Sequence, residues 1–272
     1  MSIIAVANQK GGVGKTSISV NLAGTLAQFG KKVLLVDMDP QGNSTSTFFA
    51  NIDSITPTVN DLLVDEPAID AERVVRETRF ARLHVAPANL SLNNLDSRTA
   101  GEPDSQDYLA DALDTARDRY DFIIIDCPPN LGTATRMALV AADGLIIPME
   151  AQDYALSGSQ HIIGFVNRIQ KKANPRLTVI GFVINRFTAS RSLEQKYNDL
   201  LRKQYPSLVF TTEFRNQVEY AQVATMQTPI THLLPHSPQA EAYRQFANEV
   251  IGRLIMVQSY DEIQNGNSRA AV

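Results

Sequence analysis

A glycine-rich turn near the start of the chain constrains the fold more than any other segment. It reads Gly11-Gly12-Val13-Gly14-Lys15-Thr16, with Ser17 next. An apolar run at residues 3–7 precedes the turn, and apolar residues at helical spacing occupy positions 18–29 after it. Glycines allow backbone N–H groups to close around phosphate oxygens at the N-terminus of a helix. We therefore predict a strand, a phosphate-binding loop and a helix, in that order.

The side chains of this loop predict how a nucleotide would be held. Lys15 stands where it reaches the β- and γ-phosphates, and the Thr16 hydroxyl is placed for Mg²⁺. We assign the nucleotide contacts of the loop to Gly11, Gly12, Val13, Gly14, Lys15, Thr16 and Ser17.

Apolar strands and helical patterns alternate along much of the chain. Further strands are predicted at residues 33–36, 122–125, 145–147 and 179–184, with helices near 133–141, 156–171, 216–224 and 238–257. Strands that are apolar throughout indicate a fold of the α/β class, a mostly parallel twisted sheet with helices on both faces. We predict one domain over residues 1–258 and a polar, disordered tail over 259–272. Residues 44–105 are read as a polar excursion with short helices and one strand at 83–86.

A second motif supplies the acidic group that a phosphate loop requires. The apolar run at residues 122–125 ends in Asp126, which can hold Mg²⁺ in the manner of a Walker B aspartate. An aspartate that merely caps the next helix is the structural alternative. With the glycine loop in the same chain, we assign the metal contact to Asp126 together with Thr16.

Composition excludes several classes of protein. No apolar run approaches the roughly 20 residues that cross a bilayer, so no membrane span is predicted. The first strand begins at Ile3 without a basic segment before it, so we expect a cytoplasmic protein without a secretion signal. The single cysteine, Cys127, forms neither an internal disulfide nor a cysteine-only metal site, and is expected to be a buried small hydrophobe.

Three motifs together resemble a known family. The turn is preceded by an extra lysine, Lys10; residues 36–43 read VDMDPQGN; and Asp126 begins the run Asp126-Cys127-Pro128-Pro129. The chain thereby resembles the ParA/MinD superfamily of P-loop ATPases with a deviant Walker A motif, and most closely the short ParA/Soj-type partitioning ATPases. The resemblance is specific through residue 43 and over 121–158, and looser over 178–246.

The resemblance implies an ATPase that uses ATP and Mg²⁺, with a low intrinsic rate that a partner stimulates. It implies a homodimer that sandwiches ATP, in which Lys10 touches the partner's nucleotide, Asp39 orients the attacking water and Asp37 supports the Mg²⁺ site. Phosphoryl transfer needs positive charge at the γ-phosphate and a carboxylate that positions water, which Lys10, Lys15 and Asp39 would provide.

The adenine contacts are implied by the same resemblance. Asn185 follows the strand predicted at 179–184 and matches the position that contacts the base, while Phe214 and Arg215 fall where a second wall of that pocket is found. An asparagine at the end of a strand is also a common turn residue, and that alternative stays open.

Positive charge is concentrated in one stretch of a chain whose net charge is −4. Residues 159–215 hold 10 lysines and arginines against 3 acidic residues. Sequence-independent DNA binding requires such cations on one face. Arg191 and Arg215 match family positions associated with DNA contact, and the patch is extended by Lys171, Lys172, Arg186, Arg202 and Lys203. The alternative is that these are the solvated faces of two helices.

These features favour an ATPase that binds DNA non-specifically, associates with the nucleoid, and positions or segregates a cargo such as a chromosome, a plasmid or a protein complex. A ParB-like adaptor is the expected stimulating partner. The alternative is a MinD-like positioning ATPase on a membrane or protein surface, although residues 254–272 contain one basic residue, Arg269, and offer little to an anionic membrane. An electron-transfer relative would need more cysteines, and an amidotransferase would need a substrate site that the four scattered histidines do not suggest.

Overall fold

A computed structural model describes residues 1–63, 71–151, 155–188, 191–217 and 219–269. Within these residues the strands are β1 (Ser2–Val6), β2 (Val33–Asp37), β3 (Arg76–Glu77), β4 (Leu83–Ala86), β5 (Phe122–Asp126), β6 (Gly144–Met149), β7 (Thr178–Phe187) and β8 (Val209–Arg215). They form one sheet in the order β3-β4-β2-β5-β1-β6-β7-β8. Neighbours are parallel except β3, which is antiparallel to β4. The predicted α/β class is confirmed.

Helices connect the strands. The α-helices are α1 (Lys15–Gln28), α2 (Asn43–Ser46), α3 (Ala71–Val74), α4 (Leu95–Arg98), α5 (Tyr108–Asp114), α6 (Thr133–Ala141), α7 (Ala155–Lys172), α8 (Ser192–Gln204), α9 (Glu219–Thr225), α10 (Ile230–Leu233) and α11 (Pro238–Arg269). Short 3₁₀ turns lie at Ile52–Ser54, Val59–Asp61, Leu90–Asn94, Ser105–Asp107 and Arg117–Arg119. Among the described residues, none of these helices combines the length and apolarity needed to cross a membrane.

The sheet separates two hydrophobic cores, because successive side chains of a strand point to opposite faces. In β1, Ile3 packs into one core and Ile4 into the other. Helices α1 and α11 cover the core that contains Ile4, and helices α5, α6 and α7 cover the core that contains Ile3. Burial of the strands on both faces explains their continuous apolar sequences.

The structure differs from the sequence prediction at the margins of the fold. The two-residue strand β3 and the edge strand β8 were not predicted, since β3 is too short to give a pattern and β8 mixes buried and exposed positions. Strand β7 continues to Phe187, so Asn185 lies inside it. The backbone stays helical through Arg269, whereas the sequence predicted a disordered tail over 259–272; residues 270–272 lie outside the described residues. The domain limits stay a prediction.

Parallel strands bring the candidate site residues to one edge of the sheet, which we call the carboxyl edge. The glycine loop follows β1, and Asp37 and Asp126 are the last residues of β2 and β5. Asn185 lies near the end of β7, and Arg215 ends β8. Ligands of open α/β sheets bind at this edge.

Candidate functional site

The glycine loop wraps the N-terminus of α1 in a conformation that only glycine tolerates. Gly12 has a φ of 79° and Gly14 a φ of 92°, both in the left-handed region. A Cβ atom at Gly14 would lie 2.0 Å from the Asn185 side-chain nitrogen, so space as well as backbone conformation excludes a side chain there. The loop amides are therefore held in the geometry that can enclose an anion at a helix N-terminus.

Two asparagines fasten the loop to neighbouring strands. The Asn8 side chain donates to the Pro148 carbonyl of β6 at 2.8 Å and accepts the Lys10 backbone N–H at 3.1 Å. The Asn185 amide of β7 donates to the Val13 carbonyl at 2.8 Å. The loop conformation thus depends on β6 and β7, far along the chain.

Lys15 lies over the loop beside two carboxylates. Its side chain is largely buried, and its Nζ donates to the Lys10 carbonyl at 3.1 Å. Burial lowers the pKa of Lys15, while the negative charges of Asp126 and Asp39 act in the opposite direction. The ammonium group is thereby held where phosphates would arrive.

The two strand-ending carboxylates face each other across β2 and β5. Asp37 and Asp126 are partners in the strand register, and both are fully buried. Asp126 accepts hydrogen bonds from the hydroxyls of Ser19 at 3.1 Å, Ser44 at 2.8 Å and Thr16. Asp37 accepts both the backbone N–H and the hydroxyl of Thr45, each at 2.8 Å.

This pair fits a hard divalent cation. Burial raises the pKa of Asp126, and burial together with the charge of Asp126 raises the pKa of Asp37. A cation would relieve the repulsion between the two groups. Mg²⁺ prefers oxygen ligands and keeps phosphates and water in its shell, so few protein ligands suffice. The predicted metal residues, Thr16, Asp37 and Asp126, are brought together.

Asp39 lies beside this pair. Its backbone N–H donates to Asp37 at 3.1 Å, and its own Oδ1 accepts the Gln41 N–H at 2.9 Å. Asp39 is 8% exposed, and its charge contributes to the raised pKa of Asp126. The three predicted catalytic residues, Lys10, Lys15 and Asp39, therefore share the carboxyl edge.

A carboxylate that sequence reasoning missed lies at the mouth of the loop. Glu150, directly after β6, forms an ion pair with Lys10 at 2.8 Å and another with Arg186 at 3.5 Å. The Arg186 guanidinium also lies 3.9 Å from where a Gly12 Cβ would stand. Arg186 thus lies beside the phosphate loop, and its assignment to a DNA-binding patch stays a prediction. The sequence could have identified Glu150 in the same way as Asp126, as an acidic residue at the end of an apolar strand.

A cavity of about 370 Å³ opens beside the loop. Its lining consists of Gly14, Ser17, Asn185, Arg186, Arg215, Asn216, Gln217 and Tyr220. The predicted base contacts Asn185 and Arg215 are brought together there. The Phe214 side chain does not line the cavity, because it is 1% exposed and its ring packs 4.3 Å from that of Tyr243. Tyr220, which the sequence placed only within a helix, supplies the aromatic surface instead.

The basic residues assigned to DNA do not all lie at one edge of the sheet. Helices α7 and α8 lead from the carboxyl edge back to the start of β7 and β8, and α7 alone spans about 27 Å. Arg191 and Arg215 therefore lie at the carboxyl edge, whereas Lys171 and Lys172 lie at the far end of α7. Arg202 and Lys203 lie in the last turn of α8, and the Arg202 guanidinium reaches Glu213 of β8, two residues before Arg215. Lys171 and Lys172 are thereby separated along α7 from the two arginines at the carboxyl edge.

Arg202 also has a structural role. It donates to Asn198 on its own helix and to the Phe210 carbonyl of β8, both at 3.0 Å, and pairs with Glu213 at 2.8 Å. These bonds join α8 to β8, and the assignment of Arg202 as a DNA contact stays a prediction. Arg191 pairs with Glu194 at 3.0 Å while its side chain stays 70% exposed.

Comparisons with known proteins agree with this arrangement. Residues 1–179 match the family described as an AAA domain, AAA_31. The sporulation initiation inhibitor protein Soj of Bacillus subtilis (strain 168) is 37% identical, with 91% of this chain and 97% of that protein covered. The chromosome-partitioning ATPase Soj of Thermus thermophilus is also 37% identical, with 92% and 96% covered.

A solved structure shows the same fold with a nucleotide. Cobyrinic acid a,c-diamide synthase from Mycobacterium smegmatis, with bound ATP analog and magnesium, superimposes with a TM-score of 0.81 at 26% identity, over 91% of this chain and 93% of that one. The sequence similarity to the Soj proteins agrees with the phosphate loop and its extra lysine. The chain therefore belongs to the ParA/MinD superfamily of P-loop ATPases.

Proposed function

We propose that this chain is a Mg²⁺-dependent ATPase that dimerises on binding ATP, binds DNA without sequence preference, and positions or segregates a cargo at the nucleoid. The observation that carries the proposal is the meeting of the Lys10-to-Thr16 loop with Asp37, Asp39 and Asp126 at one edge of the sheet. Relatives named as chromosome-partitioning ATPases support the cellular role. The resemblance to a synthase means that the fold by itself does not choose this role.

The residues of the site have separate tasks in this proposal. The loop N–H groups and Lys15 hold the phosphates, and Tyr220, Asn185 and Arg215 receive the base in the adjoining cavity. Asp37, Asp126 and Thr16 hold Mg²⁺, which when bound offsets charge on the phosphates. Asp39 accepts a hydrogen bond from the attacking water and so orients it. Lys10 of each protomer contacts the nucleotide of the other.

Gly14→Ala is expected to weaken ATP binding by about tenfold or more, because the new methyl group displaces Asn185 and strains the loop. Isothermal titration calorimetry with ATP and Mg²⁺ measures the change. Gly30→Ala is the matched control: Gly30 also has a positive φ, 81°, but nothing lies within 4 Å of an added Cβ. Gly30 lies beyond the opposite end of α1, so equal loss of affinity in both variants would mean that general strain on the fold, rather than the Asn185 contact, causes the loss.

DNA binding is assigned to the exposed arginines of the carboxyl edge. Arg191 and Arg215 are both exposed and lie on the side of the sheet that carries the nucleotide. One protomer offers few phosphate contacts, and an ATP dimer would double them on one assembly. DNA binding should therefore require ATP, because it requires the dimer. It should also be independent of the DNA sequence and weaken steeply with salt, because the contacts are almost wholly to phosphates.

Replacing Arg191 and Arg215 together by glutamate is expected to abolish ATP-dependent binding to random duplex DNA. Arg191→Glu alone, which leaves the base cavity unchanged, is expected to weaken DNA binding while sparing dimerisation. Gel-shift titrations with a non-hydrolysable ATP analogue at two salt concentrations measure binding. Lys171→Glu/Lys172→Glu is the matched control, since it reverses two exposed charges at the opposite edge. Loss of binding in the control, with binding kept in the arginine variant, would move the DNA surface to the ends of α7 and α8.

The alternative is a positioning ATPase that uses a protein or membrane surface instead of DNA. The structure gives this alternative one support, since Arg186 is engaged by Glu150 and Arg202 by Glu213, which leaves fewer cations for phosphates than the sequence suggested. Absence of any ATP-dependent DNA binding by the unaltered protein at low salt would favour it. The cargo and a ParB-like stimulating partner are part of the proposal in either case.

A further inference from the structure

The Glu150 carboxylate holds two cations at the entrance to the phosphate loop, one on each of its oxygens. Oε2 lies 2.8 Å from the Lys10 ammonium, and Oε1 lies 3.5 Å from the Arg186 guanidinium. The Glu150 side chain is only 11% exposed, whereas those of Lys10 and Arg186 are 49% and 57% exposed. The carboxylate is therefore the buried member of this group, and the two cations are its more exposed members.

The backbone around the group is held in place independently of these charges. Asn8 ties the loop to the end of β6, immediately before Glu150. Asn185, the residue before Arg186, holds the Val13 carbonyl of the loop at 2.8 Å. Because these bonds do not involve the charged groups, the two ion pairs can break without releasing the loop.

Nucleotide phosphates and Glu150 require the same cations. An ion pair between partly exposed groups is weak, so a multiply charged phosphate near the loop can compete with a single carboxylate. In the proposed dimer Lys10 reaches the partner's nucleotide, which requires it to leave Glu150. Each dimer that forms must break this pair twice.

We propose that Glu150 is a positioning residue that retains Lys10 and Arg186 at the loop before ATP arrives, and so sets the ATP concentration at which the chain dimerises. This inference rests on the proposed ATP-driven dimer. Glu150 competes with the phosphates for the cations, and it thereby raises the ATP concentration that is needed to bring Lys10 to the partner's nucleotide.

Glu150→Gln tests the proposal, since it removes the charge and keeps the shape. The analogue concentration that gives half-maximal dimer in sedimentation velocity is expected to fall by about threefold. Glu150→Asp, which restores a carboxylate, should return the value toward that of the unaltered protein. Glu241→Gln is the matched control, because it removes an exposed ion pair with Arg244 on α11 without touching the loop.

A second measurement is independent of dimerisation. Limited acetylation of the nucleotide-free protein, read by peptide mass spectrometry, should modify Lys10 about threefold faster in Glu150→Gln than in the unaltered protein, relative to exposed Lys31. Glu241→Gln should leave the ratio unchanged. Thermal unfolding confirms that each variant is folded.

The two measurements separate failure of this inference from failure of the proposed function. If Lys10 is modified at the same rate with and without the Glu150 charge, or if Glu150→Gln needs as much analogue as the unaltered protein, the inference is wrong. If the unaltered protein does not dimerise with the analogue at all, the proposed ATP-driven dimer is wrong. The inference that Glu150 sets the ATP concentration for dimerisation is then wrong as well. The acetylation ratio then decides only whether Glu150 retains Lys10.

Discussion

Lys10→Ala is expected to prevent ATP-driven dimerisation while leaving nucleotide binding by the monomer in place. Truncating a charged group that is paired across an interface costs about 2–5 kcal/mol, and each dimer contains two such lysines, so the dimer should weaken by roughly a thousandfold or more. Monomeric binding survives because Lys15 and the loop amides are unchanged, and Lys15 bonds to the backbone carbonyl of residue 10 rather than to its side chain. Sedimentation velocity with a non-hydrolysable analogue measures the first effect, and calorimetry measures the second.

The effect of Lys10→Ala must be separated from the effect of leaving Glu150 with one partner fewer. The double variant Lys10→Ala/Glu150→Gln provides the control, since both members of the pair lose their charge. We expect it to remain monomeric as well. A stable ATP dimer in either variant would remove the role of Lys10 at the interface.

Asp39→Ala is expected to slow ATP hydrolysis by about tenfold or more, which corresponds to about 1.4 kcal/mol of barrier. The phosphate clamp does not include Asp39, so ATP binding should persist and the variant should accumulate as an ATP dimer. Phosphate release measured under single-turnover conditions gives the rate, and sedimentation gives the oligomeric state.

Asp39→Asn separates catalysis from loop structure. Asparagine can still accept the Gln41 N–H, so it preserves the turn that Asp39 stabilises, but it lacks the charge. We expect it to be nearly as slow as Asp39→Ala. A normal rate in Asp39→Asn with a slow Asp39→Ala would assign the residue a structural role, and normal turnover in both would transfer the catalytic role, with Asp37 the next candidate.

The sequence predicted those parts of the site whose chemistry and position are local. The glycine loop follows a strand and begins a helix within a few residues, and Asp126 ends a run of buried apolar side chains. Since carboxyl ends of parallel strands share one edge, these motifs had to meet once the sheet was parallel. Lys15, Asp37 and Asp126 accordingly lie together in the structure.

The surroundings of other predicted residues depend on packing that a linear pattern does not contain. Phe214 points into the aromatic core around Tyr243 because its position in β8 faces that side of the sheet. Arg202 turns to β8 because Glu213 and the Phe210 carbonyl are within reach. Likewise, the count of charges along residues 159–215 combines basic residues that lie at opposite ends of α7 and α8.

The hydrogen bond from Asn185 to the loop limits how far the chain can be shortened without loss of nucleotide binding. A fragment of residues 1–179, the length matched by the family, would keep every glycine of the loop and the three aspartates. It would lose the amide that holds the Val13 carbonyl and the last helix, whose Tyr243 hydroxyl donates to the Ser17 carbonyl at 3.2 Å. The nucleotide motif is short, but its shape is maintained from the far end of the polypeptide, so the smallest active unit must extend at least through that helix's first turns.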